Sequence, residues 1–135
     1  MGVGALVLNE ADDVLLVQER RGPAARPGFW KMPTGLVDVG EAVGAAAVRE
    51  VAEETGVTAK LESVVSFREV HGVGMAGKSD LFFVCACRAL STDICIQESE
   101  IAAAKVCGTH PCSVIYRTNV HLSLGRQRPL ASSGS

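Results

Sequence analysis

The chain has 135 residues, 47% of them apolar and 21% charged, with a net charge of −2. That length suits one domain with a real core, and that apolar share excludes a disordered chain. No apolar run reaches the roughly 18–20 residues that span a bilayer, and no Lys/Arg cluster interleaved with aromatics marks a nucleic-acid surface, so neither membrane nor nucleic acid is an expected partner.

Residues 3–8, VGALVL, predict a buried strand. A polar turn from Asn9 to Asp12 leads to a second strand over 13–20, making a hairpin. The start lacks a basic stretch ahead of a long apolar core, so no secretory signal is expected. Leu6 stands where an N-myristoylation motif needs Ser or Thr. A cytoplasmic or organellar location follows as the expectation. Residues 21–29, RGPAARPGF, hold two prolines and two glycines and predict a loop. Residues 30–36, WKMPTGL, lead into a helix expected over 41–55. Residues 57–70 alternate β-branched and polar residues and predict a long strand. A glycine-rich loop, HGVGMAGK, follows over 71–78, then a buried strand over 81–88, LFFVCACR. Residues 94–104 hold two short strand-like pieces, ICIQ and EIAAA, around an acidic bend at Glu98 and Glu100.

Five cysteines, an odd count, and the absence of a signal argue against a disulfide framework. Cys85 and Cys87 alternate within an apolar run and read as small core residues. Cys107, His110 and Cys112 match no zinc-finger spacing and lack a fourth ligand. Charge divides the chain unevenly: residues 1–100 carry −6, while residues 101–135 hold no acid and carry +4 from Lys105, Arg117, Arg126 and Arg128. A different origin or role is expected for that last segment, with Leu130 to Ser135 disordered.

The informative stretch runs from Gly35 to Val57. Glu50, Glu53 and Glu54 are spaced i, i+3 and i+4, which places all three carboxylates on one helical face. Such a face is either an ordinary solvated one or one covered by a cation, and a hard divalent ion with oxygen ligands is the simplest candidate. Gly44, Ala45, Val48, Val51, Ala52 and Thr55 fall roughly opposite and are expected to pack on a sheet. Arg49 is i, i+4 from Glu53, and Gly56 stands where a left-handed glycine ends a helix.

The stretch fills every fixed position of G-x5-E-x7-R-E-U-x-E-E-x-G-U, with U aliphatic, and so resembles the signature of the Nudix hydrolases. The resemblance implies an α/β fold, a mixed β-sheet in an α/β/α sandwich with a loop-helix-loop that binds divalent metal and a diphosphate. It is placed on residues 1–105, with 106–135 as an atypical tail. It implies Mg²⁺ or Mn²⁺ as cofactor, Glu50 and Glu54 as metal ligands, and Glu53, held by Arg49, as a third ligand or general base. The Gly35 carbonyl would join the metal shell, and Glu41 would order the loop. A later acid often serves as base or ligand in this family; Glu98 and Glu100 are the candidates, with solvated turn acids as the plainer alternative, and Glu69 and Asp80 stand behind them. Trp30 and Phe67 are candidates to stack on an adenine, although core packing is the commoner fate of a lone Trp. Lys31 and Lys78 are candidates for phosphate contacts, with surface lysines as the alternative. His71, beside the glycine-rich loop, is a further substrate candidate.

Further blocks, among them VLLVQER, FWKMPTGLVDVGE, KSDLFFVC and EIAAAK, resemble the plant-type and algal group that hydrolyses ADP-ribose and NADH. Thr34 stands where many members have a second glycine. Relatives in that group usually carry an N-terminal domain, and they continue past the EIAAAK-like block with a Trp and a closing helix. Val106 replaces that Trp here, and an alternative C-terminus, as from read-through past a splice junction after Lys105, is the expectation. Without the closing helix, sheet surface would stay uncovered. The resemblance implies hydrolysis of a nucleoside diphosphate linked to another moiety, with ADP-ribose or NADH giving AMP, and a homodimer as in many relatives. The alternatives are a pyrophosphohydrolase of oxidised nucleoside triphosphates, and a truncated, inactive module that binds nucleotide or a partner.

Overall fold

The computed structural model describes residues 1–71 and 79–108. In chain order the elements are β1 (Gly2–Leu8), β2 (Val14–Glu19), β3 (Thr34–Leu36), α1 (Val43–Thr55), β4 (Ala59–Val70), β5 (Asp80–Ala89) and β6 (Ile101–Cys107). Lys78 and the tail beyond Gly108, with the expectations placed on them, lie outside the described residues. The strand β6 itself runs on through Cys107, past the change of composition at Lys105.

The strands form one mixed sheet in the order β4-β5-β1-β2-β6, with β3 also paired to β1. The parallel pair is β1 with β5. β1 is an apolar run because both its faces are covered, as in parallel sheets generally. Val3, Ala5 and Val7 join Cys85, Cys87, Ala46, Ala47 and Val51 under α1. Leu6 joins Leu16, Met32 and Val84 in a second cluster. Among the described residues α1 is the only helix, and none is long and apolar enough to cross a membrane.

The expected hairpin is present but pairs only at its turn, where Leu8 faces Val14. The Asn9 side chain closes that turn by accepting from Ala11 and Asp13 N–H at 2.9 Å. Beyond it the strands part. β3 takes over the edge of β1, with Val3 opposite Gly35, and β2 turns to β6. The expected strand ICIQ does not form. Its backbone N–H groups go instead to the end of α1, Cys95 to Thr55 O at 2.8 Å and Gln97 to Glu54 O at 3.1 Å. They satisfy helix carbonyls that have no partner within the helix.

The buried stripe of α1 also differs from the expected one. Gly44, Val51 and Thr55 are buried, but so are Ala46, Ala47 and Glu54, whereas Ala45 and Ala52 are exposed. The stripe 44-47-51-54/55 has ordinary helical spacing. An acid occupies one of its inner positions, which rotates the packed face away from the one composition suggests. Gly44 lets β4 come close, since a Cβ there would lie 2.2 Å from Leu61 Cδ2.

Candidate active site

The guanidinium of Arg49 organises the entrance to α1. Nε and Nη2 grip the two Glu41 oxygens at 2.8 and 2.9 Å, and Nη2 also donates to Leu36 O at 2.9 Å. Glu41 Oε1 in turn accepts from Asp38 N–H at 3.1 Å. One side chain thus ties the loop before the helix to the helix itself, in the planar fork that arginine offers and lysine does not. Arg49 Nη1 reaches on to Glu50 at 3.0 Å and Glu53 at 3.2 Å. Its hydrogen bonds hold the Glu41 carboxyl below the usual range. Glu41 does most to raise Arg49 above its ordinary value.

Glu50, Glu53 and Glu54 share a cavity of about 340 Å³ with Glu19, Thr34 and Glu100. Each element delivers one part. β2 ends at Glu19, β3 supplies Thr34, and α1 supplies the three glutamates. Glu100 arrives because Arg20 N–H bonds Glu100 O at 2.9 Å as the β2–β6 pairing begins. Glu98 is exposed and does not line the cavity.

The three glutamates differ in surroundings. Glu53 is half exposed. The Glu50 carboxylate lies against β3, where a Cβ on Gly35 would fall 2.0 Å from its Cδ, so any side chain there would displace that carboxylate. Burial raises Glu50 above the ordinary carboxyl value, against the lowering effect of Arg49. Glu54 is 8% exposed, and its Oε2 is buried without a hydrogen-bond partner. Burial, then the neighbouring Glu50 charge, pushes it up to about 8.

An unpartnered buried carboxylate oxygen beside four further acids is expensive unless a proton or a cation satisfies it. The donors are all oxygens, which suit a hard divalent ion. Among the described residues no three such side chains already stand as a metal cage, and Arg49 engages Glu50 and Glu53.

The other candidates lie elsewhere. Trp30 packs on the second core cluster, with Lys105 Nζ 4.2 Å from the centre of its ring. Phe67 sits on edge strand β4 against Phe83, with ring centres 5.8 Å apart. Neither lines the acidic cavity. Lys31 is not a surface lysine: its ammonium donates to Glu19 and to Thr34 Oγ1. His71 is engaged with Ser79 at 2.6 Å and lies 3.6 Å from Glu69.

Sequence reasoning missed Glu19 and Phe82. Strand alternation from Leu15 through Val17 would have placed Glu19 on the helix side. Phe82 lines a second cavity, of about 250 Å³, with Gly2, Leu36 and Val70. Thr34 lines both cavities, so the two adjoin. Arg68 lies over the Phe82 ring, 5.7 Å from its centre.

A family model described as the NUDIX domain matches residues 1–116. Nudix hydrolase 2 of Arabidopsis thaliana is 49% identical over 105 residues, which is 78% of this chain and 37% of that protein. Nucleoside diphosphate-linked moiety X motif 6 of Xenopus laevis is 44% identical over 101 residues, 73% of this chain and 46% of that one. The chain thus spans less than half the length of these curated relatives. An ADP-ribose pyrophosphatase from Streptococcus suis superposes with a TM-score of 0.60 at 25% identity, covering 81% of this chain and 73% of that one. With its signature filled and the domain model matching most of its length, the chain belongs to the Nudix family.

Proposed function

We propose that the chain hydrolyses the diphosphate bond of a nucleoside diphosphate linked to another moiety, using Mg²⁺ or Mn²⁺. Nudix hydrolases generally use divalent metals. The observation that carries the reading is Glu54: a carboxylate 8% exposed, with one oxygen unpartnered, in a cavity walled by further acids. Glu50 and Glu54 would hold the ion, Glu50 released from Arg49, with the Gly35 carbonyl close by. When bound, the metal neutralises the diphosphate oxygens and activates water.

The chain's own groups supply the rest. Glu53 is the more solvent-open of the helix acids and takes the proton of the attacking water, with Arg49 Nη1 orienting it. Glu100, across the cavity, is the alternative acceptor. The water oxygen bonds to one phosphorus as the bridging oxygen leaves with the other phosphate. The adjoining cavity at Phe82 gives the attached nucleoside an apolar, aromatic-floored place within reach of the same diphosphate. ADP-ribose and NADH are the first substrate candidates, each giving AMP and a phosphorylated remainder. The pyrophosphatase named for ADP-ribose among the solved structures supports that choice. The test is AMP release from ADP-ribose with Mg²⁺, with and without chelator. Chelator-sensitive AMP release is expected; no turnover of either substrate at any Mg²⁺ or Mn²⁺ concentration would contradict the reading.

A further inference from the structure

Lys31 is fixed at both ends. Its backbone N–H donates to Val17 O at 3.0 Å, and its carbonyl accepts from Val17 N–H at 2.8 Å. Its ammonium donates to the Glu19 carboxylate and, at 2.6 Å, to Thr34 Oγ1. The Lys31 and Glu19 side chains are only 11% and 23% exposed. Thr34 therefore has a use that a glycine there would not serve, since its hydroxyl completes the cradle of the ammonium. Two of the three ammonium protons are directed by these partners, so the charge sits at one place. A phosphate contact from Lys31 has only the third ammonium proton to draw on.

Arg21 lines the cavity beside Glu19, Glu50, Glu53, Glu54 and Glu100, and two further cations of the chain engage these acids without lining it. Arg49 holds Glu50 and Glu53. Lys31 holds Glu19, and its charge also acts on Glu54. A divalent ion entering the cavity competes for the same oxygen lone pairs. An ammonium that belongs to the chain cannot diffuse away, so the Glu19 oxygen it engages is committed before any ion arrives.

We propose that Lys31 is a built-in cation of the acidic cavity, a positioning residue that keeps Glu19 out of the metal-ligand set and so limits how tightly, and in what number, divalent ions bind. The proposal rests on the metal reading of the site. Removing the ammonium leaves one more free carboxylate facing the ion. Removing only the Glu19 charge leaves an unpaired positive charge beside it.

The test is an equilibrium titration of the metal-free full chain with Mn²⁺ alone, following the spin-resonance signal of the free ion, with no nucleotide present. Lys31→Met is expected to bind Mn²⁺ roughly tenfold more tightly, or to take one additional ion. Glu19→Gln is expected to bind roughly tenfold more weakly. The double variant returns toward wild type, because neither charge remains. Identical isotherms in wild type and folded variants overturn the proposal. Where Lys31→Met does not fold by circular dichroism, Glu19→Gln decides, and an unchanged isotherm there overturns it. A wild-type chain that binds no Mn²⁺ overturns the metal reading and this proposal together; a wild type that binds while its variants match it overturns this proposal alone.

Discussion

Glu54 brings a carboxylate into a place that ordinarily rejects one. Its carboxyl is pushed up to about 8, first by burial and then by Glu50, from an ordinary 4.5. The folded chain therefore holds that proton more tightly than the unfolded chain does. The resulting stabilisation is full below about 4.5 and is lost as pH rises through about 8. In chelator, the wild-type chain should lose up to a few kcal/mol of stability across that window by urea unfolding, whereas Glu54→Gln should show a much flatter profile. A wild-type profile as flat as the variant's would refute the assignment. At Gly35 the demand is steric. The Cβ of Gly35→Ala would sit 2.0 Å from Glu50 Cδ and displace that carboxylate. Turnover should fall about 100-fold, as for a catalytic group misplaced by about an ångström, with melting temperature changed little. Unchanged turnover in Gly35→Ala would show that Glu50 need not lie against β3.

Helix α1 works because both of its ends are tied down. Arg49 and Glu41 fix the loop ahead of it, and Gly56 closes it at φ 71°. An alanine at Gly56 meets that left-handed backbone and a Cβ only 3.2 Å from Cys95 Cβ and O. Gly56→Ala should lower stability by about 1–2 kcal/mol, read by chemical denaturation. This end of the helix also shows how far the chain could be read from its residues. The apolar runs of β1, β2 and β5, the helix limits and the glycine stop are local patterns, and they were legible. The segment ICIQ was not, because its strand-like composition is outweighed by the unpaired carbonyls of Thr55 and Glu54, which only the folded arrangement presents. The packed face of α1 was misplaced for a related reason: Glu54 is buried, and a pattern of apolar residues cannot announce an acid on the inside. The common face of Glu50, Glu53 and Glu54 was legible from their spacing, and the three line one cavity. Glu19 and Phe82 come from distant strands, and the sheet order that brings them to the site is not written in either neighbourhood.

On the scale of the whole molecule, the sheet order places an acidic cavity and an aromatic-floored one side by side, joined at Thr34. That juxtaposition suits a substrate with a diphosphate in its middle and an apolar, stackable group at one end. Phe82→Ala should raise KM for ADP-ribose about tenfold, in keeping with the stacking of one base on an aromatic ring, and leave kcat nearly unchanged. An equal loss in kcat with KM unmoved would place the base elsewhere. The central claim remains that the buried carboxylate of α1 serves a metal in diphosphate hydrolysis. It is tested most directly by AMP release from ADP-ribose with saturating Mg²⁺, comparing wild type with Glu54→Gln, both shown folded by circular dichroism. The variant should lose turnover by about 100- to 1,000-fold or more, the scale of removing one charge-stabilising group. Full turnover by Glu54→Gln would contradict it.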